Sequence, residues 1–325
     1  MSALQNIVIG GDSQKRRWKI SPLLTVWIVI GLVASVDFAG LHLLNRSVVV
    51  GRTVHLVPGF LAIGAVITWI NFRTKFVGSA ETKWTFRLLD LANTGRWMLA
   101  LAAFCMAADI MSRLSVAANY PLIDEQLSKI DEAIGFDWVG WYHWVSLHPT
   151  LLFFLNLTYG SGLLQTVAVP VILGMSGRRL ELSNHVTRFM LAILICLLVA
   201  TFFPAASAFL HFHISEPGTS STVSTFLPLR DGTLRAVDLA DQQGLVSMPS
   251  MHTAMAILFA YAVRCVPVLR YLMIFLNVVM IASTPTQGGH YLSDVVAGIL
   301  LATVTIMLVK RLGGHDLPIA PSETT

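Results

Sequence analysis

Two short polar clusters in the C-terminal half of the chain carry side chains suited to acid–base and nucleophilic chemistry. The first cluster reads SMPSMH over residues 247–252, and the second reads STPTQGGHYLSD over residues 283–294. An apolar stretch lies between them, interrupted only by Arg264, Pro267 and Arg270. A stretch of that length predicts two membrane crossings joined by a short basic turn. The two clusters are therefore expected on the same side of a membrane.

The first cluster has the pattern of a helix start that binds an anion. Proline is favoured in the first turn of a helix, so Pro249 predicts a helix that begins here. The free N–H groups of such a first turn bind phosphate and other anions, and Ser250 can add a hydroxyl donor. His252 would then lie beside the anion as a general acid.

The second cluster pairs a histidine with a carboxylate. The spacing of four residues predicts that His290 and Asp294 share one helical face. A carboxylate that holds one ring nitrogen fixes the tautomer and leaves the other nitrogen as a base or nucleophile. Gly288 and Gly289 let the backbone approach a ligand closely. A zinc or iron site remains an alternative, but it explains the glycines and the helix start less well.

The composition indicates an all-α, polytopic helical membrane bundle. Hydrophobic residues make up 55% and charged residues 12% of the chain, whereas a soluble protein carries about 25% charged residues. The apolar segments predict about eight transmembrane helices. They are Leu23–Leu44, Val54–Phe72, Trp97–Leu114, Leu151–Leu173, Phe189–Leu210, Thr253–Val266, Tyr271–Ser283 and Tyr291–Val309. The sixth and seventh are short, and a single re-entrant hairpin is the competing interpretation.

The basic residues predict the orientation of these spans. With the N-terminus in the cytoplasm, 16 of the 22 lysine and arginine residues fall on the cytoplasmic side. This bias favours cytoplasmic termini and places both polar clusters on the opposite face. We divide the chain into a cytoplasmic segment (1–20), a transmembrane catalytic domain (21–312) and a disordered cytoplasmic tail (313–325). A bacterial inner membrane with the site facing the periplasm fits this topology, as does a eukaryotic secretory membrane.

Two external segments are long. The segment 115–150 contains Leu127, Ile130 and Ile134 at helical spacing, which predicts an amphipathic helix. The aromatic cluster that follows, residues 138–144, favours an interfacial belt over a binding cage. The segment 211–246 is either a substrate-selecting lid or a connector. Because bound phosphate needs positive charge, we expect Arg230 or Arg235 in this segment to supply it.

Together the clusters resemble the type 2 phosphatidic acid phosphatase superfamily. Its motifs read PSGH and SRxxxxxHxxxD, and this chain matches them at Pro249, Ser250 and His252 and at Ser283, His290 and Asp294. The resemblance implies a six-helix core and a phosphohistidine formed on His290. It further implies that Asp294 orients His290, that His252 protonates the leaving group, and that no metal or other cofactor takes part.

The match has three departures. Thr284 stands where the family has an arginine, Met251 replaces a glycine, and the family's KxxxxxxRP motif is missing. The branch with the most similar pattern contains inositol phosphorylceramide synthases and bacterial relatives, whose last motif is also poor in arginine. A YGS stretch at Tyr159 is similar to that branch as well, although small and polar residues of this kind also serve helix packing.

The sequence therefore predicts a membrane enzyme that acts on lipid phosphates, with no nucleic-acid partner. A lipid phosphatase, a head-group phosphotransferase of the sphingolipid or phosphoinositol type, and a transporter or lipid-binding protein with a decayed site remain as alternatives. The predicted catalytic residues are His290, His252 and Asp294. The predicted substrate-binding residues are Ser250, Met251, Gly289, Arg230 and Arg235.

Overall fold

The chain folds into a bundle of long helices. The computed structural model describes residues 21–49, 57–76, 83–215, 225–239 and 244–312. Within these ranges the chain has twelve helices and one two-stranded parallel sheet, and this confirms the predicted all-α membrane bundle. The predicted N-terminal segment (1–20) and tail (313–325) lie outside the described residues.

The elements follow one another in this order. They are α1 (Pro22–Leu43), β1 (Ser47–Val49), α2 (Val57–Phe76), α3 (Lys83–Ala117), α4 (Asp124–Ala133), α5 (Trp138–Ser146), α6 (Pro149–Met175), α7 (Arg179–Phe202), α8 (Ala208–His211), α9 (Phe226–Arg230), β2 (Ala236–Asp238), α10 (Met251–Ala262), α11 (Leu269–Gly288) and α12 (Leu292–Arg311).

Six of the described helices are long and apolar enough to cross a membrane: α1, α3, α6, α7, α11 and α12. The second and sixth predicted spans correspond to α2 and α10, which are not among these six. Helix α10 has only 12 residues, so it is about 18 Å long. Many outward side chains of the bundle are large and apolar, such as Phe38, Leu163 and Phe275, as expected for a surface that faces lipid.

The fifth predicted span was wrong at its end. It was expected to continue to Leu210, but α7 ends at Phe202 and a separate short helix, α8, begins at Ala208. Pro204 explains the break, because a proline disfavours helical backbone at the preceding residue. The irregular segment between the two helices brings Ala206 and Ser207 over the polar end of the bundle.

The basic helix ends lie together at one end of the bundle. Arg178, after α6, donates a hydrogen bond to the carbonyl of Cys265, after α10. Arg264 pairs with Glu181 at the start of α7, at 3.2 Å. The Arg264 and Lys310 cations also lie over the ring of Tyr261. The two polar clusters occupy the opposite end.

The predicted amphipathic helix is confirmed as α4, but its predicted buried face was wrong. Leu127 is buried, whereas Ile130 and Ile134 are half exposed or more. The buried face instead carries Asp124 and Asp131. Burial of these carboxylates is tolerated because backbone N–H groups of neighbouring segments donate hydrogen bonds to them.

Candidate active site

The first polar cluster forms the start of α10, as the sequence predicted. Ser250 is the N-cap, and its hydroxyl oxygen accepts hydrogen bonds from the backbone N–H and the hydroxyl of Thr253. The N–H of Ser250 donates to the backbone carbonyl of Asp294 at 3.0 Å. Gly298 makes the approach of α12 possible, because a Cβ there would lie 2.5 Å from the carbonyl oxygen of Ser250. His252 follows in the first turn of α10.

The second polar cluster does not form one continuous helix. Gly289 ends α11 with a φ of 65°, the left-handed conformation that glycine adopts without strain. His290 therefore lies in a loop, and α12 begins only after its N-cap, Tyr291. The prediction that His290 and Asp294 share a helical face was wrong, because the left-handed turn separates the two helices.

The loop nevertheless places His290 beside Asp294. Nδ1 of His290 lies 3.5 Å from Oδ2 of Asp294, and both side chains are buried. Oδ2 of Asp294 also accepts hydrogen bonds from the Ser247 hydroxyl, at 2.9 Å, and from the Tyr291 N–H, at 3.0 Å. Nδ1 of His290 and Oδ1 of Asp294 have no hydrogen-bond partner among the described residues. A small movement of the His290 ring would complete a hydrogen bond between Nδ1 and the Asp294 carboxylate.

Tyr159 connects the two histidines. Its ring stacks on the ring of His252 with centroids 4.0 Å apart and an interplanar angle of 21°. A Cβ built on Gly288 would lie 2.7 Å from the Tyr159 hydroxyl and 2.9 Å from Nε2 of His290. The hydroxyl and Nε2 thus border the same small space, which glycine leaves open. The YGS stretch was the sequence signal for Tyr159, although it did not identify this residue as part of the site.

The segment from α4 to α5 holds the His290 loop from outside. Trp138 Nε1–H donates to the carbonyl of His290 at 2.9 Å. The Asp131 carboxylate accepts hydrogen bonds from the N–H groups of Leu292 and Ser293, the first turn of α12. Burial raises the pKa of Asp131, although these two hydrogen bonds oppose the shift. The aromatic cluster is therefore more than an interfacial belt, because Trp138 is buried against the site.

Asp124 fixes the neighbouring turns. Its carboxylate accepts hydrogen bonds from the backbone N–H groups of Ala206 and Ser207 and from the Tyr291 hydroxyl. Sequence reasoning missed Asp124, Asp131, Trp138 and Ser247. The available signal was the spacing of Asp124 and Asp131, which places them with Leu127 on one side of α4.

The five predicted substrate-binding residues fall into two groups: three adjoin His252 or His290 in the chain, and the two arginines make contacts elsewhere. Ser250 and Met251 start α10 beside His252, and Gly289 precedes His290, where a Cβ would lie 2.4 Å from the ring of Phe209. Arg230 donates to the carbonyl of Tyr120, and Arg235 to that of Gly232. Neither of these two contacts includes His252, His290 or Asp294.

One of the three comparisons with known proteins gives a match. A family model described as the PAP2 superfamily matches residues 125–308, which is more than half of the chain. No curated protein matches the chain, and no solved structure matches it. The matched range begins in α4, ends in α12 and includes both polar clusters. The closer resemblance to inositol phosphorylceramide synthases stays a prediction.

Proposed function

We propose that this protein, which belongs to the PAP2 superfamily, is an integral membrane enzyme that cleaves a lipid phosphoester or pyrophosphate through a phosphohistidine on His290. The observation that carries the proposal is the position of His290, with Asp294 at Nδ1 and Tyr159 beside Nε2. His252 stacks on that tyrosine. Tyr159 thus links His252 to the space beside Nε2 of His290, and Asp294 lies at the other nitrogen of the His290 ring.

In the first half-reaction, Nε2 of His290 attacks the phosphorus atom of the substrate. A P–N bond forms, the P–O bond to the leaving group breaks, and His252 donates a proton to the departing oxygen. The carboxylate of Asp294 stabilises the positive charge that develops on the His290 ring. The 3.5 Å separation of Nδ1 and Oδ2 would shorten on substrate binding, as catalytic hydrogen bonds commonly do.

In the second half-reaction, an acceptor hydroxyl attacks the phosphorus atom. His252, now neutral, takes the proton of that hydroxyl, the P–N bond breaks, and His290 is regenerated. Water as acceptor makes the enzyme a phosphatase, and an alcohol makes it a phosphotransferase. These steps use only groups of the chain itself.

The phosphoryl oxygens need donors because Thr284 replaces the family's arginine. The first-turn N–H groups of α10, at Met251 and His252, can bind them, as can the hydroxyl of Tyr159. Thr284 is no substitute, since its hydroxyl donates to the carbonyl of Ile281. The charges of Arg230 and Arg235 would have to reach the phosphate through a rearrangement of their segment.

A head-group phosphotransferase is the second candidate function. The cavity that borders Ser247 and Gly288 has a volume of only about 20 Å³, and Phe226, Leu245 and Val246 contribute to its lining. A space of this size holds roughly one water molecule. His252, His290, Asp294 and Tyr159 do not line this cavity, so the comparison of turnover with and without an added alcohol has to distinguish transfer from hydrolysis.

We further propose that the site faces away from the cytoplasm, in a bacterial inner membrane with the site on the periplasmic side. The grouping of basic helix ends opposite the site supports this orientation. The test is labelling by a membrane-impermeant maleimide of Glu125→Cys and Arg311→Cys, each in a variant without Cys105, Cys196 and Cys265. Labelling of the first but not the second in intact spheroplasts is expected, and the reverse would overturn the orientation.

The catalytic proposal is tested with purified protein and a panel of lipid phosphates and pyrophosphates. Free phosphate and new phospholipids are both measured, with and without an alcohol such as inositol. His290→Ala and His252→Ala should each lower the rate by about 10²-fold or more, and His143→Ala, an exposed histidine on α5, should not. Activity that survives in His290→Ala would refute the proposal. Silence of the wild-type protein toward every substrate would favour a transporter or lipid-binding protein.

A further inference from the structure

A second cavity adjoins the site on the outer side of the His290 loop. Its volume is about 320 Å³, at the lower end of the roughly 300–1,000 Å³ of small-molecule sites. It lies between the C-terminal half of α4, the start of α5 and Phe212, and Tyr291 forms part of its wall. His252, His290 and Asp294 do not line it, so it is distinct from the space around the catalytic side chains.

One wall of this cavity is aromatic. Phe136, Trp138, Phe212 and Tyr291 contribute to it. Trp138 stacks on two other rings. Its centroid lies 5.4 Å from that of Phe212, with an interplanar angle of 17°, and 5.5 Å from that of Tyr142. The stack is held further by the hydrogen bond from Trp138 to the carbonyl of His290. The wall is thus preorganised. Trp138 and Tyr291 are almost fully buried, so the aromatic surface open to the cavity belongs mainly to Phe136 and Phe212, and aromatic faces attract cations.

The rest of the lining is acidic. Asp131, Glu132 and Asp137 line the cavity, and no lysine or arginine does. Glu132 and Asp137 are exposed to solvent, whereas Asp131 is buried. The exposed carboxylates of Glu132 and Asp137 repel an anion such as phosphate, so the cavity does not suit a second phosphate group.

The lining suits an organic cation better than a metal ion. In the described ranges, no group of three or more His, Cys, Asp or Glu residues is placed to hold a metal. The carboxylates are also partly engaged, since Asp131 accepts two backbone hydrogen bonds and Asp137 caps α5 through the N–H of Gly140. A substituted ammonium group needs only diffuse negative charge and aromatic surface, and both are present.

We propose that this cavity, lined by α4, α5, Phe212 and Tyr291, binds a substituted ammonium group. The group belongs either to a free amine such as choline or to the head group of a phospholipid. The inference goes beyond the proposed phosphoryl transfer and does not depend on it, because the cavity walls and their charge are independent of the catalytic side chains.

The test is a binding measurement without turnover. The purified full-length protein in detergent is titrated with choline and with tetramethylammonium, and binding is followed by saturation-transfer NMR of the methyl groups. Sodium chloride at equal ionic strength and inositol serve as the inorganic-cation and neutral-polyol probes. Saturable binding of both ammonium ions is expected, and sodium chloride should weaken it only as far as charge screening does. Binding of inositol alone, or equal competition by sodium, would overturn the proposal.

Variants localise the binding. Glu132→Gln and Asp137→Asn remove charge but keep an acceptor for Ser128 and for the α5 cap, so both should fold. Each should weaken choline binding about two- to fivefold, the effect of one exposed charge. Glu125→Gln is the matched control, because Glu125 lies on the same helix outside the cavity and pairs with Lys129. Equal affinity in the Glu132→Gln/Asp137→Asn double variant and the control would refute the site.

A further experiment distinguishes a free amine from a phospholipid head group as the source of the bound ammonium group. The protein is placed in nanodiscs of phosphatidylglycerol alone or with added phosphatidylcholine, and displacement of choline by the lipid is measured. Displacement by phosphatidylcholine identifies a lipid head group as an occupant. Choline binding that is unaffected by this lipid identifies a free amine. Failure of choline to bind in phosphatidylglycerol nanodiscs would also refute the site.

Discussion

Replacement of Gly288 by alanine should disable the site without unfolding the protein. Gly288 is the last residue of α11 and has no positive φ, so its backbone accepts alanine. The new Cβ, however, would lie 2.6 Å from Cδ2 of His290 and 2.7 Å from the Tyr159 hydroxyl. Carbon atoms pack at about 3.5–4.0 Å. The His290 ring must therefore move by about 1 Å.

The magnitude follows from that displacement. Overpacking of this kind costs about 1–3 kcal/mol of stability, which a folded membrane protein can tolerate. A misplacement of about 1 Å at a reacting group costs about 10²-fold in rate. We therefore expect Gly288→Ala to lower kcat by about 10²-fold while the helix content remains unchanged.

The assay compares turnover of the substrate found in the lipid panel with circular dichroism of the same preparation. Gly160→Ala is the matched control, because Gly160 lies in α6 next to Tyr159 and a Cβ there meets no atom within 4 Å. Gly288→Ala with wild-type kcat would show that Nε2 of His290 does not react in this space. Equal losses of kcat in Gly288→Ala and Gly160→Ala would show that the loss does not come from contact with His290.

Three further outcomes follow from the contacts around the site. Asp124→Asn removes a carboxylate that accepts hydrogen bonds from two N–H groups and a hydroxyl, so it should lower the free energy of unfolding by about 2–4 kcal/mol. Glu125→Gln should leave the free energy of unfolding nearly unchanged in the same graded-SDS unfolding, and equal effects of the two substitutions would contradict the role of Asp124. Tyr159→Phe keeps the stack on His252 but loses the hydroxyl, so kcat should fall by about 10²-fold; an unchanged kcat would exclude the hydroxyl as a phosphoryl donor. Burial raises the pKa of Asp131, so the folded protein holds this proton more tightly than the unfolded chain does. The Asp131 contribution to stability is then largest below the unfolded pKa of about 4 and falls as the pH rises through the folded pKa. Unfolding temperatures at about pH 4 and pH 7 should accordingly differ less in Asp131→Asn than in the wild type, and an equal difference would contradict this assignment.

The residues of the two motifs could be predicted from the sequence because their chemistry is local. A proline and a serine before a histidine indicate a helix start, and the structure has α10 beginning there. The hydrophobic composition likewise predicts a helical membrane bundle. The predicted helical pairing of His290 with Asp294 was wrong, because Gly289 ends α11 in the left-handed conformation. Phe209 of α8, a distant part of the chain, occupies the place where a Cβ of residue 289 would lie.

The supporting residues could not be predicted for the same reason. The acids of α4 looked like a solvated face, and only the tertiary structure brings them to the N–H groups of α12 and of the turn at Ala206. A buried carboxylate is recognised by its partners, and those partners lie more than eighty residues away in the sequence. Periodicity instead predicted burial of Ile130 and Ile134, which are exposed.

The most direct test of the central claim is to trap the covalent intermediate. The protein is mixed with the lipid phosphate identified in the panel, quenched in alkali within a turnover, digested and analysed by mass spectrometry. We expect a phosphoryl group on His290 in the wild-type protein and none on any residue in His290→Ala. Turnover without a phosphohistidine, or a phosphoryl group on another residue, would contradict it.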